Sequence, residues 1–307
     1  MNQTERSHLL AEKGFLVQRL AAAPITARLM RAGLQSRLEG IERKLAEAPN
    51  QADPIKINLT FNGRPVLGSQ GILAQFGADA VNKFTEAVDA VVASLSAPLN
   101  ASGPIPNRGQ QLLITNTAIG SFGFELEEYC VGPARLDLGE SPVNQALQRV
   151  TNLLEGSIGT DDQLAESASE TDPRALEKMR VFLETLAEND ATMNLSFNER
   201  SFRFANIDQV KASAQRLSRD NIQETEVSLT GRFEGYLPSR RTFDFLIDGE
   251  AQVITGKAGP DLALDVLTRI NDHLHRQTTV RMMRTQVGTG RPKYRLLRLD
   301  DWPTLNQ

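Results

Sequence analysis

Residues 57–64 read INLTFNGR and residues 193–200 read MNLSFNER. A chain that writes nearly the same eight residues twice is held to the same local structure at two distant places. In each copy apolar and polar side chains alternate, the period of a strand with one buried face. The apolar set is Ile57, Leu59 and Phe61 in the first copy and Met193, Leu195 and Phe197 in the second. Thr60 and Ser196 suit the opposite face, and Asn62-Gly63 is a tight-turn dipeptide. Gly63 is answered by Glu199, so the two turns need not share a type. A helical pattern follows each copy: Val81, Phe84, Val88, Val91 and Leu95 over 78–96, then Val210, Ala214 and Leu217 over 208–218. The expectation is two strand–turn–helix units in one body. A diverged duplication around one sheet and a coincidence of two hairpins both stay open, because eight residues fall short of a repeat of ~20–50.

Before the first octamer, residues 4–48 read as helix, divided at Pro24 because an interior proline removes a hydrogen bond. Leu34, Leu38, Ile41 and Leu45 recur at spacings of four, three and four, a narrow apolar seam. It predicts a helical hairpin closed on its own chain, or a short coiled coil with a partner helix or a second copy. APNQADP at 48–54 reads as a linker. Between the octamers, LLIT and SFGFELEEY alternate as strands, with Gly123 marking a bulge or a close backbone contact. Helices are expected at 142–155 and 173–188, the second opening on Asp172-Pro173. The stretch between them, GSIGTDDQLAESASETD, is polar and expected to be mobile at its ends, with Asp161-Asp162 in a polar loop where they would cap a helix.

From about Glu224 the pattern changes. EVSLTGRFEGYL, RTFDFLID and AQVITGKA read as strands, PDLALDVLTRINDHL as a helix, TTVRMMRTQV and KYRLLRL as two more strands. In that helix Leu262, Val266, Ile270 and Leu274 are expected to face inward. The order β-β-β-α-β-β is that of an OB-like barrel, and SH3-like or other small barrels share it. The fold class is therefore α+β: a helical arm at 1–50, a central mixed α/β-type domain at 51–220 and a small OB-like barrel at 221–307. The 307 residues suffice for about two or three domains.

Between Arg276 and Leu299 the chain carries Arg281, Arg284, Arg291, Lys293, Arg295 and Arg298 with no acid among them. Arg240 and Arg241 lie in the turn between the first two barrel strands, one of the loops that flank the ligand groove in OB-folds. A basic groove attracts phosphates by counterion release. Tyr236, Phe243 and Tyr294 would offer stacking faces, Phe243 fitting the core better. The opposing reading is a solvated charged face balanced by Glu224, Glu226, Glu234, Asp300 and Asp301.

The remaining candidates for chemistry are few. Glu125 and Glu127 share a strand face, and paired carboxylates bind metals or move protons. Glu128 follows directly, but no histidine stands near them in sequence, and the solvent face of an edge strand explains them as well. Gly120 and Gly123 lack the spacing and the lysine of a phosphate loop. No catalytic residue, metal ligand or cofactor is assigned. The single cysteine, Cys130, excludes an internal disulfide framework and fits a reducing cytoplasm. The N-terminus lacks the features of a signal peptide, and no apolar run reaches membrane-spanning length. The reading is a cytoplasmic, non-enzymatic adaptor subunit of a bacterial multi-protein system. Its arm would hold a protein partner or second copy, and its barrel nucleic acid or an acidic protein. The alternatives are a metal-dependent hydrolase using Glu125 and Glu127, and a purely structural oligomer.

Overall fold

A computed structural model of the chain describes residues 3–24, 26–47, 55–100, 102–106, 110–118, 122–130, 141–249, 253–259, 262–263 and 267–299. The expected linker at 48–54, Gly120, Val266, Asp300, Asp301 and the Cys130 side chain lie outside the described residues.

Pro24 separates α1 (Gln3–Ala22) from α2 (Arg28–Glu47). The two fold back on each other. Lys13 meets Glu42 at 2.9 Å, Arg37 donates to Glu12 at 2.8 Å, and Arg31 donates to the carbonyls of Leu20 and Ala23 at the C-terminal end of α1. Ile41 is buried and Leu34, Leu38 and Leu45 are half-buried, while the residues between them are mostly exposed. The apolar seam thus lies on the closed side of an intramolecular hairpin.

The octamers answer each other directly. The first forms most of β1 (Lys56–Gly63) and the second most of β6 (Ala191–Phe197), and the two strands are antiparallel neighbours. Leu59 pairs with Leu195, the third residue of each octamer with its own counterpart. Around that pair the register is reciprocal: Ile57 faces Phe197 and Phe61 faces Met193. The two copies are related by a local two-fold through Leu59 and Leu195, both fully buried. Each is followed by short strand structure and a helix. These are β2 (Val66–Leu67), β3 (Gly71–Ile72) and α3 (Ala74–Ser94) in one case, β7 (Arg200–Arg203) and α7 (Ile207–Arg216) in the other.

With β4 (Gln110–Thr117) and β5 (Gly123–Cys130) these strands make a five-stranded sheet in the order β4-β5-β1-β6-β7. β5 is an interior strand, not the expected edge; β1 covers it on one side and β4 on the other. A Cβ on Gly123 would come within 2.2 Å of the Leu59 carbonyl oxygen, so only glycine lets the two strands approach. The apolar side chains of β1, β5 and β6 share one core with α3, α4 (Pro142–Ile158), α5 (Asp161–Ser169), α6 (Pro173–Glu188) and α7. Phe84 of α3 and Phe182 of α6 meet edge to face at 5.6 Å in its centre.

The polar stretch, with Asp161-Asp162 expected in a loop, instead forms helix α5. Thr160 and Gln163 form a reciprocal capping box, and Leu164, Ala165 and Ala168 are buried. Polar composition misleads here because the helix is short and offers only a narrow apolar stripe. Arg216 ties it in place, donating to the carbonyls of Ser157 and Gly159 at the end of α4 and to Asp161 at the start of α5.

The described C-terminal strands form a closed five-stranded barrel in the order β10-β12-β11-β8-β9. They are β8 (Ile222–Leu237), β9 (Thr242–Ile247), β10 (Val253–Ala258), β11 (Gln277–Val287) and β12 (Lys293–Leu299). All pairs are antiparallel except β10 with β12, which closes the barrel in parallel. Phe233, Phe243, Phe245, Met282 and Leu296 fill it. Where the spacing predicts one helix over 260–274, the described residues form a helical turn at Leu267 and a short 3-10 turn, Asn271–His273. Leu267 and Ile270 are fully buried there, with Leu262 and Leu274 packed beside the barrel core. Among the described residues there are seven α-helices, and no helix is long and apolar enough to cross a membrane.

Two outcomes follow. Leu59→Ala and Leu195→Ala should each lower unfolding stability by about 2–5 kcal/mol in urea titrations, and because the residues touch, the double variant should depart from additivity. Asp89 on α3 is held up at about 6, first by burial and then by Glu86. Its folded-state value lies above the ordinary 3.8, so stability is lost as pH rises from about 4 to about 6. Asp89→Asn should therefore raise the melting temperature at neutral pH, and calorimetry at pH 4 should show the gain gone.

Candidate anion site between body and barrel

The acid-free basic hairpin does not form one continuous surface. Its β11–β12 turn sits on the N-terminus of α5, where the Arg291 amide donates to Asp162 at 2.8 Å. Gly288 has a positive φ, and a Cβ there would lie 2.8 Å from an Asp161 carboxylate oxygen, so glycine is needed for this docking. Further along, Lys293 meets Glu166 at 2.7 Å. Lys257 of β10 meets Glu166 at 2.9 Å and also Glu170. Burial pushes the Glu166 carboxyl up, but the ammonium groups of Lys293 and Lys257 outweigh it and hold it below its usual range. The acidic face of α5 thus uses part of the charge that the sequence offers to an outside partner.

The other bases separate. Arg281 faces Arg298 across the β11–β12 ladder and pairs with Glu226 at 3.5 Å. Arg284 donates to Gln286 at 2.6 Å. Tyr236 and Phe243 belong to the barrel core, with Tyr294 packed against it. The expected stacking faces are therefore turned inward, where their apolar area is worth more than on the surface.

Arg240, Arg241 and Arg295 come together in a cavity of about 380 Å³ between body and barrel. Its body wall holds Arg149 from α4, Ser94 and Leu95 from the end of α3, and Asp172. Its barrel wall adds Lys257 and Ala258. Five cationic side chains line it against two carboxylates, Glu170 and Asp172. Neither carboxylate is uncommitted: Asp172 caps α6 through the Arg174 amide at 2.9 Å and accepts the Leu99 amide at 3.0 Å, while Glu170 is paired with Lys257. Among the described residues, no carboxylate lies within ion-pairing distance of Arg149, Arg240 or Arg295.

These arginines are positioned with care. Arg149 donates to the Glu170 carbonyl at 2.9 Å. Burial, and then the nearby Arg295 charge, hold its pKa below the ordinary arginine value. Arg241 takes a positive φ of 53° at the β8–β9 turn and donates to the carbonyls of Gly259 and Leu262, which fixes the barrel rim. The Nε groups of Arg241 and Arg295 are buried without a hydrogen-bond partner. Glu224 is pushed up by burial, only partly offset by Arg295. The arrangement is a partly dehydrated concentration of positive charge with donors to spare. Arg149 has no signal in the sequence that sets it apart from any other helical arginine.

The Glu125 and Glu127 pair is elsewhere, on the polar face of the sheet. Lys56 on the neighbouring strand lies 3.6 Å from Glu125 and 3.4 Å from Glu127, and both hold its pKa above the ordinary value. Glu128 accepts the Ser141 hydroxyl at 2.6 Å, and Ser141 caps α4. Among the described residues no group of three His, Cys, Asp or Glu is arranged to hold a metal ion.

No family model, curated protein or solved structure matches the chain.

Glu166→Gln leaves both lysines without their shared partner and should cost about 1 kcal/mol, since half-exposed pairs each give ~0.2–1. The Glu166 contribution is complete above its ordinary value of 4.5 and falls away as pH drops through the lowered one. Parent and variant melting curves should therefore converge on acidification.

Proposed function

We propose that this chain is a non-enzymatic binding subunit that holds the phosphates of a nucleic acid at the junction of body and barrel, as an adaptor within a larger assembly. The observation that carries the reading is the cavity in which Arg149, Arg240 and Arg295 gather with no carboxylate in ion-pairing distance among the described residues. Guanidinium groups suit phosphate because their fork of donors matches its oxygens. We read the barrel as OB-like. The parallel β10–β12 closure and the order β10-β12-β11-β8-β9 support this, and the β8–β9 turn then corresponds to a loop that borders the ligand groove. An acidic protein partner is the weaker reading, since α5 of the same chain already supplies acids to Lys257 and Lys293. With the barrel aromatics in the core, affinity would come from charge more than from base stacking.

Fluorescence anisotropy with single- and double-stranded DNA and RNA across a salt series tests this. Binding should weaken linearly in log–log form, and Arg240→Gln or Arg295→Gln should each lower the salt slope by about 1. Absence of binding at low salt would sink the proposal.

A further inference from the structure

We infer that the cavity between body and barrel is a phosphomonoester site, one that takes a terminal phosphate in preference to the internal diesters of a strand. The inference deepens the reading above and names the group that enters the pocket.

Size is the first argument. About 380 Å³ lies at the small end of ligand pockets, the scale of one nucleotide-sized group. Charge is the second. A monoester carries about −1.5 to −2 at neutral pH, close to twice the charge of a diester. The pocket gathers three arginines that have no carboxylate within ion-pairing distance among the described residues, and its two acids are already committed to a helix cap and to Lys257. Donor count is the third. A monoester has three terminal oxygens, and Arg149, Arg240 and Arg295 bring guanidinium groups to the cavity lining. Repulsion between Arg149 and Arg295, which depresses the Arg149 pKa alongside burial, is relieved when both face one dianion. Because Arg149 belongs to the body and Arg240 and Arg295 to the barrel, such a ligand bridges the two and stabilises their contact.

Two sources share this chemistry, the phosphorylated end of a nucleic acid and a free phosphorylated small molecule. The full chain would be titrated with inorganic phosphate, with adenosine 5′-monophosphate, and with one single-stranded oligonucleotide bearing a 5′-phosphate, a 3′-phosphate or only hydroxyl ends. Anisotropy reports the oligonucleotides and calorimetry the small anions. A phosphorylated end is expected to bind about tenfold tighter than hydroxyl ends, the scale of one added charged hydrogen bond. Adenosine monophosphate should raise the melting temperature and compete. Arg149→Gln and Arg295→Gln should each erase the end preference and the thermal shift. Arg240→Gln, on the exposed turn, repeats the test if either variant loses its parental circular dichroism. Small anions binding with no oligonucleotide bound would support the pocket and defeat the nucleic-acid reading. Oligonucleotides binding equally with all ends, or an end preference that survives the substitutions, would overturn the pocket and leave that reading in place. No binding of any probe overturns both.

Discussion

The pairing of β1 with β6 through Leu59 and Leu195 is the contact on which the rest of the molecule is built. It joins two segments far apart in the chain, so the intervening α3 to α6 must return to one side of the sheet. Their apolar faces then bury Phe84, Phe182 and the inward rows of both strands in one core. Once α4 and α6 are fixed by that core, the places of Arg149 on α4 and Asp172 at the start of α6 follow. Closure of the loop between the strands costs entropy that grows slowly with length, and a shared core repays it.

The barrel is held to this body by charge as well as by apolar contact. Val287 and Ile222, at barrel strand ends, enter the body core. Around them, Glu166 draws in Lys257 and Lys293. Docking sorts the barrel's cations into two groups. Those opposite α5 are compensated within the chain. Those beside the cavity include Arg295. Arg149 is buried close to it, and burial followed by that second charge holds the Arg149 pKa below the ordinary arginine value.

Much of the local structure is legible in the sequence. Alternation at Ile57, Leu59 and Phe61, the break at Pro24, the cap at Asp172 and the alternating barrel strands all appear where the residues predict them. The failures have physical causes. Helix α5 carries too few apolar residues to show its period, and its buried side is set by packing on α4 and the body core as well as by β11 and β12. The aromatics of the barrel look like surface stacking groups only until closure turns them inward. For the site, Arg240, Arg241 and Arg295 are visible as basic residues near a loop. Arg149, which joins them from the other wall, is not.

By itself the sequence determined which residues alternate, which cap and which break, because those properties depend on neighbours within a few positions. It also determined that the barrel hairpin would carry only positive charge. The tertiary structure alone decided that the two octamers lie side by side, that Lys56 would stand between Glu125 and Glu127, and which bases would find acids. Coulomb partners and cross-strand neighbours are set by distance in space, and that distance is fixed only when the body core closes and the barrel docks on it.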